Sequence, residues 1–138
     1  MLFKINAIDG TFYDDHIRSF LPEKIFDIHT HVWQKQFIKS LNDNRVVSWP
    51  SRVAEDNSIE DLIETYELLF PGKTVTPLIF SSPAKGIDLD KGNRYIETCA
   101  KKYNLPSLLL AHPSWQGNHF EELLLKGNFL GVKVYLSF

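Results

Sequence analysis

Asp27, His29 and His31 alternate with apolar residues in a stretch that has the composition of a β-strand. Side chains two residues apart on a strand share a face and lie about 6.6 Å apart along it, so two imidazoles can converge on one metal ion. Asp27, two residues before His29, can orient a metal-binding side chain without binding the metal itself. The opposite face, Phe26 and Ile28, is expected to pack against helices. The alternative is a pair of hydrogen-bonded core histidines. It is disfavoured because burying three polar groups that bind no common ligand is costly.

A second strand late in the sequence repeats this arrangement. Lys133, Tyr135 and Ser137 are expected to point to the same side as the histidines. The positions between and beside them are apolar and would meet the helices: Val132, Val134 and Leu136. A lysine inside a parallel sheet is costly unless it is paired, neutralised or modified, so Lys133 is a candidate catalytic residue. The alternative is a lysine at a strand end whose amine reaches solvent.

His112 follows a predicted third strand and is a second candidate catalytic residue, because the ends of parallel strands gather ligand-binding residues. A purely structural loop histidine is the competing interpretation. His16 and His119 have no patterned neighbours and rank lower. Cys99 lies on the apolar stripe of a predicted helix and is expected in the core, not as a nucleophile.

The composition is that of an ordinary globular protein of one domain, with 138 residues, 43% of them hydrophobic and 23% charged. The net charge is -2 and no basic run is present, which argues against nucleic acid or a membrane surface as partner and favours a small-molecule substrate. A single cysteine cannot form an internal disulfide, and the first residues lack the apolar run of a signal peptide. These features predict a cytoplasmic protein.

Apolar periodicity predicts alternating strands and helices, and therefore an α/β fold with parallel neighbouring strands. Ser58 and Asp88 are the expected N-caps of two of the helices. Pro77 cannot donate a ladder hydrogen bond and should confine pairing of its strand to residues 78–80. The predicted strands are 24–33, 75–81, 107–111 and 130–138, and the predicted helices are 58–70, 88–103 and 118–126.

Two segments lie outside this alternation. Residues 1–23 form a leading segment with a short helix expected around Asp14 to Phe20. The longest irregular connection runs from Gln34 to Asn57. Because it follows the His-x-His strand directly, it is a candidate lid over the site, although an ordinary surface loop explains it equally well.

Over residues 24–138 the chain resembles the amidohydrolase superfamily, in particular the amidohydrolase-related branch of hydrolases and non-oxidative decarboxylases. The segment Phe26-Asp27-Ile28-His29-Thr30-His31 is similar to the family's first-strand metal motif. The segment Gly131-Val132-Lys133-Val134-Tyr135 falls where the family's fourth strand supplies a bridging ligand, often a carbamylated lysine. The resemblance implies a divalent metal, zinc before manganese, held by His29 and His31. Lys133 would be a further ligand or a substrate contact.

The fold implied by this resemblance is a partial (β/α)8 TIM barrel with about four parallel strands, since a complete barrel needs about 250 residues. The implied reaction is attack of a metal-activated water on an amide, ester or lactone carbonyl of a small organic substrate. The family's two later histidines and its aspartate have no counterpart here. We therefore expect the N-terminal half of an enzyme, truncated or paired with a second copy through exposed strand edges as a homo-oligomer.

Other functions are compatible with the same motif. One is a non-catalytic fragment or interaction module, and another is a metal-dependent decarboxylase. Phosphoesterases of the polymerase and histidinol phosphatase type and TatD-like nucleases also open with Asp-x-His-x-His or a near variant. Such enzymes would gather Arg, Lys and further His at the strand ends. The ends at 81–83 and 112–115 carry mainly neutral and aromatic groups, which favours an organic substrate.

Overall fold

The computed structural model describes residues 2–37, 54, 56–83 and 87–135, and over these residues the protein is a mixed α/β fold, as predicted. Helices and strands alternate after a helical leading segment. The helices are α1 (Ala7–Phe12), α2 (Ile59–Leu69), α3 (Leu89–Tyr103) and α4 (Gly117–Lys126). The strands are β1 (Lys24–His31), β2 (Thr74–Phe80), β3 (Leu108–Ala111) and β4 (Gly131–Val134). No helix in the described ranges is both long and apolar enough to cross a bilayer.

The strands form two parallel pairs, β1 with β2 and β3 with β4. A single parallel bridge between Ile79 and Ser107 joins the pairs, and the Ile79 amide donates to the Pro106 carbonyl at 3.0 Å. The spatial order of the strands therefore follows their order in the chain. Carboxyl ends of parallel strands meet at one edge, which brings the ends of β1, β2 and β4 together.

The predicted restriction of β2 pairing by Pro77 is wrong, because β2 pairs with β1 along its length and Pro77 lies opposite Asp27. Amides two residues apart on a strand point to the same side. The Ile79 amide points to β3, so the missing N–H of Pro77 lies on the side away from β1. The proline therefore costs no hydrogen bond to β1.

Helix boundaries follow the local signals in the sequence. Ser58 and Asp61 form a reciprocal capping box at the start of α2. The Asp88 side chain caps α3 by accepting from the Lys91 amide. Asn104 ends α3 in the left-handed conformation with φ 52°, which asparagine tolerates better than most residues.

The leading segment differs from the prediction in position. Its α-helix, α1, begins seven residues earlier than Asp14 and is followed by one π-helical turn at Tyr13–Ile17. The Asn6 side chain accepts from the Asp9 amide and sets this early start. A 3₁₀ turn at Lys35–Phe37 begins the predicted lid, and most of the remaining lid residues, 38–53 and 55, lie outside the described ranges.

The hydrophobic core lies between one face of the strands and helices α2 and α3. Its buried members are Val32, Ile59, Leu62, Ile79, Ile96 and Cys99. Cys99 is therefore a core residue, as predicted, and burial raises the pKa of its thiol. The core holds α2 and α3 against one side of the sheet and leaves the other side for the candidate site.

The first turn of α3 inserts where β2 and β3 part. The Asn93 amide group donates to the Leu110 carbonyl at 2.9 Å and accepts from the Leu110 amide at 3.0 Å. Asn93 thus substitutes for a neighbouring strand at a buried position. Gly92 allows this close approach, because a Cβ there would lie 2.2 Å from Ser81 Oγ.

Candidate metal centre

A β-bulge in β1 decides which side chains face the site. Asp27 lies opposite Pro77 and Thr30 lies opposite Ile79, so β1 advances three residues while β2 advances two. The extra residue reverses the alternation of side chains along β1. Asp27 and Thr30 consequently both point to the core-facing side, as Ile79 does, although residues three apart on a regular strand would point to opposite sides.

His29 and His31 lie together on the opposite side of β1, as predicted. Their ring centroids are 5.3 Å apart, and both rings pack against Phe80 of β2, at 5.3 Å and 4.5 Å. His31 and Phe80 are register partners, which accounts for the closer contact. The Phe80 side chain is fully buried and forms the floor beneath the two imidazoles.

Two hydrogen bonds orient the His31 ring. Its Nδ1 lies 2.9 Å from the Ser81 carbonyl oxygen, and its Nε2 lies 3.1 Å from the Tyr135 hydroxyl. A carbonyl oxygen only accepts, so Nδ1 carries the proton and the Nε2 lone pair accepts from Tyr135 in the neutral ring. A backbone carbonyl on one ring nitrogen, with the other presented as an electron-pair donor, is the usual arrangement of a metal-binding histidine.

The surroundings of His31 favour the neutral ring. Burial lowers the pKa of His31, and the electrostatic influence of the neighbouring His29 and Lys133 side chains lowers it further. The hydrogen bond to Ser81 opposes these effects without reversing them. A neutral imidazole is the form that binds a metal ion.

Residues that follow or belong to β4 face the histidine pair. The Lys133 ammonium lies 5.4 Å from the Phe80 ring centroid and 5.3 Å from the Tyr135 ring centroid. Both are cation–π distances. The predicted inward direction of Lys133 and Tyr135 is therefore confirmed. Ser137 and Leu136 lie outside the described residues.

Asp27 does not share the face of the histidines, so that prediction is wrong. The Tyr66 hydroxyl of α2 donates to the Asp27 carboxylate at 2.8 Å, on the core side of the sheet. The other carboxylate oxygen accepts from the His29 amide at 3.0 Å, so Asp27 supports the His29 backbone and not its ring. Partial burial opposes ionisation, but these hydrogen bonds outweigh it and lower the pKa of Asp27.

Phe26 and Ile28 were expected to pack against helices, and this prediction is also wrong. Their side chains are 54% and 70% exposed. Phe26 pairs with Thr76, which points to the same face of β2 as Phe80, because residues four apart on a strand share a face. The bulge is again the reason. Asp27 before it and Thr30 after it both face the core, so Phe26 and Ile28 face away from the helices. An apolar surface thus borders the histidine pair.

His112 lies one residue beyond the Ala111–Val134 register pair, at the edge of the sheet where Tyr135 leaves β4. Its Nδ1 is 2.7 Å from the Ser114 hydroxyl, within the loop after β3. The structure thus places His112 at the predicted edge and gives it a partner in its own loop.

Three residues that support the site or its strands were not singled out from the sequence, and Ser81 was considered only as a strand end that could touch a substrate. Ser81 orients His31 through its backbone carbonyl, which carries no side-chain signal. Tyr66 and Asn93 have polar groups on otherwise apolar helix faces, and this is the signal that could have identified them. Phe80 was recognised only as a strand residue.

The donors present fit part of a metal coordination sphere. His29 and His31 supply two imidazoles on one face, and the orientation of His31 suits a ligand. Within the described ranges, no group of three or more His, Cys, Asp and Glu side chains is close enough to hold a metal ion. A third protein ligand from this part of the chain would therefore have to be of another type, and the Lys133 amine is the basic group that faces the pair.

Comparison with known proteins leaves this arrangement to be interpreted on its own chemistry. The chain matches no protein-family model, no curated protein and no solved structure. The site is thus defined by four side chains on one face of a parallel strand array: His29, His31, Lys133 and Tyr135.

Proposed function

We propose that the chain carries the first- and fourth-strand part of a metal-dependent hydrolase site of the amidohydrolase-related type. The observation that carries this proposal is the orientation of His31. Its Nδ1 proton is held by the Ser81 carbonyl, which leaves the Nε2 lone pair to the Tyr135 hydroxyl, and the His29 ring centroid lies 5.3 Å from that of His31. A core histidine needs its polar atoms satisfied, but it does not need a second imidazole beside it.

The strand order supports a partial (β/α)8 barrel as the setting of this site. In such a barrel each strand is followed by a helix and lies beside the next strand in the chain. The order β1-β2-β3-β4, with α2, α3 and α4 between them, agrees with four consecutive units. The histidine pair lies toward the carboxyl end of β1, where barrel enzymes carry their catalytic residues.

His29 and His31 are the residues that would hold the metal, for which we propose zinc. When bound, a divalent metal supplies Lewis-acid activation of water and of a substrate carbonyl. Tyr135 fixes the His31 ring by donating to Nε2. Lys133 brings a positive charge to the same face, where it can bind a carboxylate or the oxygen of a carbonyl that gains negative charge.

The surface around the pair favours a small organic substrate. Phe26 and Ile28 expose apolar side chains on the strand that carries the histidines. Phe80 and Tyr135 add aromatic rings, and Lys133 adds a positive charge. A phosphate-directed site would require several cationic side chains at this edge. We therefore propose an ester, amide or lactone with an apolar part and an acidic or carbonyl group.

Zinc binding and esterase activity of the 138-residue chain test this proposal together. We expect the zinc-loaded protein to retain one zinc per chain after dialysis and to cleave p-nitrophenyl acetate faster than bis(p-nitrophenyl) phosphate. His31→Ala should lose both properties, and His16→Ala, which changes a histidine of the leading segment, should lose neither. Retention of zinc by His31→Ala would contradict the site.

A non-catalytic metal-binding module is a second candidate. It is favoured by the absence, within the described ranges, of a cluster of three His, Cys, Asp and Glu side chains. Stoichiometric zinc that depends on His31, without cleavage of either ester, would select this candidate over the hydrolase.

A further inference from the structure

The position of His29 beside His31 depends on the bulge in β1. Ile28 and His29 are both exposed, although they are neighbours in a strand, and they lie between the half-buried Asp27 and the buried Thr30. This break in the alternation is the extra residue of the bulge. In a regular strand with Asp27 on the core side, His29 would face the core as well. Whatever holds the bulge therefore also holds His29 on the face of the site.

The two imidazoles are held in different ways. The His31 ring is oriented by hydrogen bonds at both of its nitrogens. Among the described residues, the His29 ring packs against the rings of His31 and Phe80 and makes no hydrogen bond. The location of the His29 ring is therefore set mainly by its backbone.

The backbone at the bulge is fixed from the core side of the sheet. One Asp27 oxygen accepts from the His29 amide at 3.0 Å, which closes a turn of the Asx type around Ile28. The other oxygen accepts from the Tyr66 hydroxyl of α2 at 2.8 Å. The Thr30 hydroxyl lies 3.2 Å from the Tyr66 hydroxyl oxygen and can donate to it, because the Tyr66 proton is directed to Asp27. Residues before and after the bulge are thus bonded to one side chain of α2.

We propose that Tyr66 is a positioning residue for the candidate metal centre. By bonding to Asp27 and Thr30 it holds the backbone of β1 in the form that places His29 beside His31. Tyr66 acts from the core side, so its effect passes through the backbone of β1 and not through contact with a metal ion. This inference rests on the proposed function for its consequence, which is a pair of imidazoles already arranged for one metal ion.

Ring contacts measured by NMR, in the chain treated with a chelator, test the positioning role directly. In Tyr66→Phe the ring remains and only the hydroxyl is lost. We expect the nuclear Overhauser contact between the His29 and Phe80 rings to weaken in this variant and to be lost in Asp27→Ala. The contact between the His31 and Phe80 rings, whose centroids are 4.5 Å apart, should persist in both. A general loss of stability would not separate the two contacts, because both are observed in the folded state.

Zinc affinity measured by calorimetry reports the consequence for the metal centre. Tyr66→Phe should weaken zinc binding roughly three- to tenfold, the usual worth of one hydrogen bond. Asp27→Ala should weaken it roughly ten- to hundredfold, the usual range when a group that orients a metal ligand is removed. Asp27→Asn should recover most of this loss, because its amide oxygen can still accept from the His29 amide. Zinc binding in Asp27→Asn as weak as in Asp27→Ala would show that Asp27 acts through its charge, and would overturn the positioning role.

Tyr103→Phe is the matched control, since it removes a tyrosine hydroxyl that bonds to a carboxylate, that of Glu60, and so joins α3 to α2. It should change neither the ring contacts nor the zinc affinity. Retention of the contact between His29 and Phe80 in Asp27→Ala, or an unchanged zinc affinity in Tyr66→Phe, would overturn the inference. A parent chain that binds no zinc would contradict the proposed function, and the NMR comparison would still decide whether Tyr66 positions His29.

Discussion

The Nδ1 proton of His31 is donated to the backbone carbonyl of Ser81 over 2.9 Å, between strand ends fifty positions apart in the chain. This bond links the end of β1 to the residue that follows β2. It fixes the ring tautomer and leaves the Nε2 lone pair to Tyr135. A backbone acceptor cannot be removed by changing a side chain, so the orientation of His31 depends on the register of the two strands.

Removal of the Tyr135 hydroxyl is expected to strengthen metal binding. In Tyr135→Phe the Nε2 lone pair of His31 no longer accepts a hydrogen bond, so a metal ion does not have to displace one. We expect the zinc affinity measured by calorimetry to increase roughly fivefold, corresponding to a bond of about 1 kcal/mol. Tyr103→Phe should leave the zinc affinity unchanged. A tenfold weaker affinity in Tyr135→Phe would instead identify the phenol as a ligand.

Gly92 is expected to be intolerant of a side chain. A Cβ at Gly92 would meet Ser81 Oγ at 2.2 Å, so Gly92→Ala should lower the free energy of unfolding by about 1 to 3 kcal/mol. Gly117, also in a helix, has nothing within 4 Å of its Cβ position, and Gly117→Ala should be neutral. Urea denaturation measures both variants. Equal stability of the two variants would contradict the close packing of α3 on Ser81.

Asn93 is expected to stabilise β3 from the side. Asn93→Ala would leave the buried amide and carbonyl of Leu110 without their present partners. We expect a loss of about 2 to 4 kcal/mol in the free energy of unfolding, from the two lost hydrogen bonds and from the buried amide and carbonyl left without partners. Hydrogen exchange should report the cause, because the Leu110 amide should lose its protection. Unchanged exchange at Leu110 would contradict the assigned role.

Acid stability is expected to depend on the bond between Tyr66 and Asp27. The folded-state pKa of Asp27 is lowered, so its contribution is present above the unfolded pKa of about 3.9 and is lost as the pH falls through the folded value. Tyr66→Phe removes one of the bonds that lower this pKa. We expect the variant to lose about 1 kcal/mol at neutral pH and less at pH 3. Thermal unfolding across this pH range measures the difference. A constant loss at all pH values would assign the effect to packing alone.

Local signals predicted the helices well. Ser58 and Asp88 each act within one turn of chain, and the structure uses both as N-caps. The α/β alternation followed from apolar periodicity for the same reason, since each element displays its own pattern. The pairing of His29 with His31 needed only two residues of one strand.

Non-local geometry limited the remaining predictions. The side to which Asp27 points depends on a bulge in the pairing of β1 with β2. The residue types of Asp27 and Pro77 do not indicate that they lie opposite each other. A strictly alternating strand therefore predicted Asp27 on the same face as the histidines and Phe26 on the face that packs against the helices. The bonds of Asn93 to Leu110 and of Tyr66 to Asp27 join residues on separate elements, which a reading along the chain does not bring together.

X-ray absorption spectroscopy of the zinc-loaded chain tests the central claim most directly, because it counts the imidazoles bound to the metal. We predict two imidazole ligands at about 2.0 to 2.1 Å in the parent chain and one in His31→Ala. His119→Ala, a variant of a histidine outside the site, should retain two. Fewer than two imidazoles in the parent chain, or an unchanged count in His31→Ala, would contradict the assignment of His29 and His31 as a metal-binding pair.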